Sequence, residues 1–141
     1  MRISLKQINA LLAVLASAVV LAGCAGEQDR AQAKTVADGV HAHLRSGEFA
    51  AIYDESAPRF KTVGSASQFV SQMKAFHEGL GSLKNANEIA YQTGLDSTVG
   101  RTHVLLFTLE YEHGKAIERL TLVRSAAGEM QLWKMDIQPV D

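Results

Sequence analysis

The 141-residue chain contains one cysteine, Cys24, and two prolines. With a single thiol no intramolecular disulfide can form, so the folded domain must be stabilised by packing. Its formal net charge of −1 at pH 7 lacks the basic excess that is typical of nucleic-acid-binding domains. The sequence also contains no HExxH or GxSxG motif and no glycine-rich loop between a strand and a helix, so no short catalytic motif indicates an enzyme.

The N-terminal segment combines basic residues with a short apolar run. The first seven residues, MRISLKQ, include Arg2 and Lys6, and the apolar stretch INALLAVLASAVVLA follows. A basic start followed by an apolar run of this length is typical of an export signal. Because a membrane-spanning helix needs roughly 20 apolar residues, an uncleaved span is the less favoured interpretation.

The residues Leu21, Ala22, Gly23 and Cys24 resemble the lipobox of bacterial lipoproteins. This resemblance implies cleavage between Gly23 and Cys24, transfer of a diacylglycerol to the thiol of Cys24, and acylation of the new amino group. Two or more chains give stable membrane attachment. Ala25 stands where an aspartate commonly marks inner-membrane retention, which implies the periplasmic face of the outer membrane if the cell is Gram-negative. An ordinary cleavable signal with an unrelated cysteine is the alternative.

Removal of residues 1 to 23 leaves 118 residues with 12 basic and 15 acidic side chains, a net charge of −3. This length suffices for one compact domain and is too short for two. The sequence has no internal repeat, proline-rich tract or low-complexity segment. We therefore expect a signal peptide over residues 1 to 23, a lipidated tether over 24 to 30 and a single domain over 31 to 141.

The first half of this domain predicts three helices. The first has an apolar stripe at intervals of three and four residues, formed by Ala33, Val36, Ala37, Val40 and Leu44. The segment EFAAIYDES predicts a second, short helix that ends before Pro58. Ser65 and Gln68 have the spacing of a capping box, which predicts the start of a third helix that ends at Gly79 and Gly81.

From Asn87 onward the apolar pattern has a period of two. Four segments therefore read as strands, NEIAYQT, RTHVLLFTLEYE, KAIERLTLVR and MQLWKMDIQP. Helices followed by antiparallel strands predict an α+β fold in which the helices cover one face of the sheet.

A tight turn at His113 and Gly114 is predicted to join the second and third strands. Pairing Glu112 with Lys115 then fixes the register and separates two faces. The predicted core face contains Leu105, Phe107, Leu109, Tyr111, Ala116, Leu120 and Leu122. The opposite face mixes polar and apolar side chains, Val104, Leu106, Thr108, Glu110, Ile117, Arg119, Thr121 and Val123.

The segments LRSGEFAAIYDESAPRFK, QFVSQM and LWKMDI, in this order, resemble small exported bacterial domains of the nuclear transport factor 2-like superfamily, also called cystatin-like. The resemblance covers residues 31 to 138. It implies a curved antiparallel four-stranded sheet on which one long and two shorter helices pack to form a cone. It implies no particular activity, because the lipoproteins of this type are domains of unknown function.

Histidines do not indicate a metal site. His41 and His43 are separated by about 200° on a helix and cannot bind one ion, so both are predicted to lie on the helix surface. His77, His103 and His113 fall on different predicted elements, without a cysteine or acid at ligand spacing. We therefore predict no metal and no cofactor.

Enzymes of the superfamily use an acid or histidine base with a tyrosine or second acid that stabilises an oxyanion. The corresponding residue types here are Tyr53, Asp54, Tyr91, His103, Glu110 and Tyr111. The tyrosines are predicted to pack their rings in the core with the hydroxyl at the rim, and His103 to lie at a solvated strand end. An isomerase-like or hydrolase-like enzyme is therefore the least favoured function.

Two non-enzymatic functions remain. A membrane-anchored interaction module would bind another envelope protein or a second copy through the mixed sheet face, at Thr108, Glu110, Ile117, Arg119 and Thr121. The alternative is a module that binds a small apolar ligand inside the cone, between Tyr53, Phe76, Tyr91, Phe107 and Trp133. The interaction module is the favoured prediction, because the exposed face has the clearer sequence signal.

Overall fold

The computed structural model describes the backbone of residues 5 to 140 and the side chains of residues 26 to 140. The predicted cleavage and lipidation site at Gly23 and Cys24 lies outside the described side chains. The helices are α1 Leu5–Ser46, α2 Phe49–Glu55 and α3 Ala66–Leu80, with a short 3-10 turn at Phe60–Thr62. The strands are β1 Leu83–Asp96, β2 Gly100–Tyr111, β3 Gly114–Arg124 and β4 Met130–Val140.

The four strands form one antiparallel sheet in the order β1-β2-β3-β4. Met1–Ala31 and Gln32–Asp141 form separate units, and the second contains the sheet, α2 and α3. Three helices pack against an open, curved four-stranded antiparallel sheet, so the predicted α+β fold is confirmed. The strands lie within one or two residues of their predicted ends, except that β1 is longer at both ends.

The part of helix α1 that follows residue 32 lies on the sheet through its small and branched residues. Ala33 and Ala37 are fully buried, and Val40 and Leu44 are at most 5% exposed. Helix α3 begins with the predicted capping box, because the Ser65 hydroxyl accepts from the amide of Gln68 while the Gln68 side chain accepts from the amide of Ser65. The sequence patterns for both helices are thus confirmed.

The register of the β2–β3 hairpin differs from the prediction by two residues. Tyr111 pairs with Gly114 and Glu110 with Lys115, so the turn consists of Glu112 and His113. Because side chains alternate with a period of two, a shift of two residues leaves each side chain on its face. All seven predicted core-face residues are therefore buried, and we call this the inner face.

The end of α3 explains the observed turn. The amide of His113 donates to the carbonyl of Leu80 at 2.9 Å, and the amide of Glu112 donates to that of Ser82 at 3.1 Å. Between them, Gly81 has a φ of +80°, and a Cβ there would lie 2.7 Å from Oε2 of Glu112. Only glycine fits this conformation and close approach without strain, so contacts distant in sequence decide the turn.

Candidate functional site

A histidine and a glutamate form a buried pair at the centre of the inner face. His41 on α1 and Glu118 on β3 are 2% and 0% exposed, and Nε2 of His41 lies 2.6 Å from Oε2 of Glu118. The His41 ring also contacts Phe107 edge to face, with 4.6 Å between ring centroids. The prediction of a surface histidine is wrong for His41, because residue 41 lies on the same buried stripe as Ala37 and Leu44.

The chemistry of this pair follows from its burial. A carboxylate or an imidazolium alone in the interior is strongly destabilising, and each becomes tolerable when it shares a proton with the other. Oε1 of Glu118 has no hydrogen-bond partner among the described residues. The hydrogen bond therefore joins a helix to the sheet, while one oxygen of the Glu118 carboxyl group has no partner among the described residues.

Tyr111 lies on the same face, inside an aromatic cluster. Its ring contacts Phe76 and His77 edge to face, with centroids 5.8 and 5.2 Å away. Burial, together with the charge of Glu118, raises the pKa of Tyr111, so the phenol stays protonated. Its hydroxyl is buried without a partner in the described part of the chain, which contradicts the prediction that it reaches the rim.

A second pair joins the half-buried Tyr91 to the buried His103. The Tyr91 hydroxyl and Nδ1 of His103 are 2.8 Å apart, and the two rings stack. His103 is 1% exposed, so the predicted solvated strand end is wrong. The physical reason is that β1 and β3 flank it on both sides, where it pairs with Thr93 and Leu122.

The remaining candidates for catalysis lie apart from these pairs. The Tyr53 hydroxyl donates to the carbonyl of Gly64 at 2.8 Å, and the carbonyl of Asp54 accepts from Nζ of Lys61. Glu110 lies on the other face of the sheet, where its carboxylate accepts from Asn85 at 3.1 Å. Of the six enzyme candidates, the described hydrogen bonds join only Tyr91 to His103.

The five residues predicted to line a cone pocket contact different neighbours. Tyr53 packs against Phe60 and Phe69. The ring of Phe76 contacts Tyr111, that of Tyr91 stacks on His103, and that of Phe107 contacts His41. Trp133 belongs to a separate small cluster with Ala57, Val99 and Val123. Phe107 belongs to the main core cluster, against which Phe76 and Tyr91 also pack, so three of the five share one cluster and Trp133 lies in another. A ligand inside the cone stays a prediction.

The face of the sheet opposite the inner face, which we call the outer face, carries the predicted interaction residues. Ile117 is 37% exposed, Arg119 is exposed, and Thr108 and Glu110 are half-buried. Thr121 is only 7% exposed, which corrects its prediction as an exposed residue. The outer face therefore presents a branched apolar side chain among charged groups.

Charges of both signs lie on the outer face. Glu110 approaches Lys115 at 3.7 Å, whereas Arg119 and Asp136 pair in register without forming a salt bridge, and Arg119 has none among the described residues. Beside Arg119, a groove of about 440 Å³ is lined by all four strands. Nζ of Lys134 lies at its edge, 4.0 Å from the centroid of the Trp133 ring.

A second groove, which we call the α1–β4 groove, lies between α1, α2 and the start of β4 and has a volume of about 380 Å³. Its apolar side chains are Val36, Val40, Ile52, Met130 and Leu132. At its rim, His43 lies 3.3 Å from Glu48 and 3.2 Å from Glu55. Although burial lowers the pKa of His43, its hydrogen bonds with both carboxylates raise that pKa overall.

Similarity to known proteins identifies no further site in this chain. No protein-family model matches the chain, and no curated protein shows significant similarity to it. Among the described side chains, no three histidine, cysteine or acidic groups are arranged to hold a metal ion. No helix within the described residues is both long and apolar enough to traverse a bilayer.

Proposed function

We propose that this protein is an exported, lipid-anchored interaction module of the nuclear transport factor 2-like type, and that its outer face binds a second copy. The lipobox resemblance at Leu21 to Cys24 supports the anchor, with the outer membrane as its location in a Gram-negative cell. The order of helices and strands agrees with the superfamily resemblance. The module has no catalytic role in this proposal.

The outer face is the observation that carries the proposal. The described helices pack on the inner face, and Ile117 is exposed on the outer face beside acidic and basic side chains. In a dimer with two-fold symmetry the same patch must complement itself, since residue i of one copy meets residue j of the other and the reverse. Arg119 of one copy can then pair with Glu110 or Asp136 of the other.

A cross-linking experiment tests the dimer. In a Cys24→Ser background, Ile117→Cys supplies the only thiol of the chain, and a short bis-maleimide is added to the purified full chain. We expect a covalent homodimer. The matched control is Val63→Cys, which is 90% exposed away from the sheet and should remain monomeric.

Charge reversal tests the same surface. Arg119→Glu should lower the cross-linked fraction, and adding Glu110→Arg or Asp136→Arg should restore it in one of the two combinations. A monomer in every case, with no cross-link above the Val63→Cys control, would refute the second copy. When the same cross-linker is added to intact cells, a covalent product between Ile117→Cys and another envelope protein would also refute it and would assign the face to that partner.

The anchor is tested by feeding cells an alkyne-labelled fatty acid. The wild-type chain should carry the label and fractionate with membranes, while Cys24→Ser should carry none. Ala25→Asp is a matched control that should keep the label and, in a Gram-negative cell, move the protein to the inner membrane. Equal labelling of wild type and Cys24→Ser would rule out lipidation at this cysteine.

A further inference from the structure

The α1–β4 groove combines an apolar floor with an acidic rim. Val40, Ile52 and Leu132 are each at most 5% exposed at its floor, while Glu55 and Glu129 are exposed at its edge. Its volume of about 380 Å³ falls within the range of small-molecule sites, which are typically apolar with a few polar groups. None of these five residues belongs to the outer face.

The α1–β4 groove is lined by a glycine, Gly39, which is an unusual residue inside a helix. It lies in the interior of α1 and lines the groove, although a glycine within a helix costs about 1 kcal/mol relative to alanine. A Cβ at residue 39 would meet no atom within 4 Å. The packing of this domain therefore does not require a glycine there, and a large side chain at residue 39 would occupy space in the groove.

The charged side chains at the rim determine which ligand charge the groove favours. Glu55 hydrogen-bonds to His43 and its side chain is 68% exposed, and Glu129 also lines the edge. No lysine or arginine is among the described residues that line this groove. His43 is the only basic side chain among the described residues that line the groove, and it is hydrogen-bonded to Glu48 and Glu55. The carboxylates of Glu55 and Glu129 therefore outnumber it in the lining, so the rim favours a cation.

We propose that the α1–β4 groove binds a small amphiphilic cation, with a short alkyl or aryl body on the apolar floor beside Gly39 and a primary ammonium group at the carboxylates of Glu55 and Glu129. The apolar floor supplies affinity through burial of the alkyl body. The charge-assisted hydrogen bonds at the rim supply selectivity for the ammonium group. This site is independent of the outer face and of the lipid anchor.

Calorimetric titration of the full chain in nanodiscs of zwitterionic lipid tests the site. Hexylammonium is compared with hexanol and hexanoate, which keep the alkyl body and change the head group. We expect saturable binding of hexylammonium, at least tenfold weaker binding of hexanol, and no saturable binding of hexanoate. Equal affinities for hexylammonium and hexanoate, or no saturable hexylammonium binding, would overturn the proposal.

Two groove variants and one control separate the site from partitioning into lipid. Gly39→Leu fills the groove and should abolish hexylammonium binding without lowering the melting temperature. Glu55→Gln should weaken hexylammonium severalfold and leave hexanol unchanged. Gly79→Leu places the same side chain on α3, where a Cβ also meets no atom within 4 Å, and should bind like wild type. Binding by Gly39→Leu or Glu55→Gln that equals wild type would overturn the proposal.

Discussion

Nε2 of His41 lies 2.6 Å from Oε2 of Glu118, in the interior and 77 residues away in sequence. This hydrogen bond ties the C-terminal part of α1 to the centre of the sheet. A buried ionisable pair is often no more stabilising than two apolar side chains of similar volume, because both groups lose their hydration. Removal of one partner alone is therefore expected to destabilise the domain strongly, whereas replacement of both partners should cost little.

Single replacements of the pair should destabilise the domain unequally. His41→Leu leaves a buried carboxylate without its partner, so we expect a loss of about 3–5 kcal/mol in the free energy of unfolding. Glu118→Leu should cost less, because the remaining imidazole can stay neutral. Urea unfolding followed by circular dichroism measures both, and a larger loss for Glu118→Leu would contradict this assignment.

The double variant His41→Leu/Glu118→Leu should regain most of the stability that the single variants lose. Since both ionisable groups are then absent, no desolvated charge remains, and such replacements are often neutral or stabilising. The same urea experiment closes the double-mutant cycle. Losses that simply add would show that the two side chains act independently.

Two tyrosine-to-phenylalanine substitutions form a matched pair. Tyr111→Phe removes a buried hydroxyl that has no partner among the described residues, so stability should be unchanged or increase. Tyr91→Phe removes the 2.8 Å hydrogen bond to His103 and should cost about 0.5–1.5 kcal/mol. Thermal unfolding of both variants measures this difference in stability. A larger loss for Tyr111→Phe than for Tyr91→Phe would contradict the prediction.

The contribution of His43 should depend on pH. Its folded-state pKa is raised above 6.5, so its stabilisation is complete below that value and is lost as the pH rises through the raised pKa. The pKa of Glu48 is lowered from 4.5 by hydrogen bonds from Ser46 and His43, so its share is lost as the pH falls through the lowered pKa. The combined stabilisation by His43 and Glu48 is therefore greatest between pH 4.5 and pH 6.5.

His43→Gln tests this window. Wild type should exceed the variant in melting temperature at about pH 5.5, and the difference should shrink at about pH 9, where imidazole is neutral. A difference that is the same at both values would show that His43 stabilises the domain through packing instead of charge.

The capping box of α3 should contribute measurably to stability. Ser65→Ala removes the acceptor for the amide of Gln68 and should cost about 1 kcal/mol in the free energy of unfolding. Ser71→Ala is a control for the same substitution at an exposed position of this helix, and it should be neutral or slightly stabilising because alanine is the better helix former. Equal effects would argue against the cap.

Local patterns were sufficient to predict the elements of the fold. The period of two from Asn87 onward locates the strands, and the spacing of Ser65 and Gln68 locates the start of α3. These signals lie within a few residues of the structure that they specify. The hairpin register depends instead on residues that are distant in sequence. The turn preference at His113 and Gly114 competes with hydrogen bonds between the turn and the end of α3.

The buried polar residues carry a sequence signal that is easily misread. His41 is four residues after Ala37 and three before Leu44, and Glu118 alternates with Ala116 and Leu120, so both occupy positions of the core. Their polarity argues for the surface, where such residues mostly lie. Nothing in the spacing of either element shows that a partner 77 residues away makes burial tolerable.

The contact between Gly81 and the turn at Glu112 has a consequence for how the sheet acquires its alignment. Two hairpin registers that differ by two residues bury the same side chains, so hydrophobic pairing alone does not distinguish them. The carbonyls of Leu80 and Ser82 accept from the turn amides in one of these registers. A fragment beginning after Leu80 would retain every strand and still lack part of the information that aligns them.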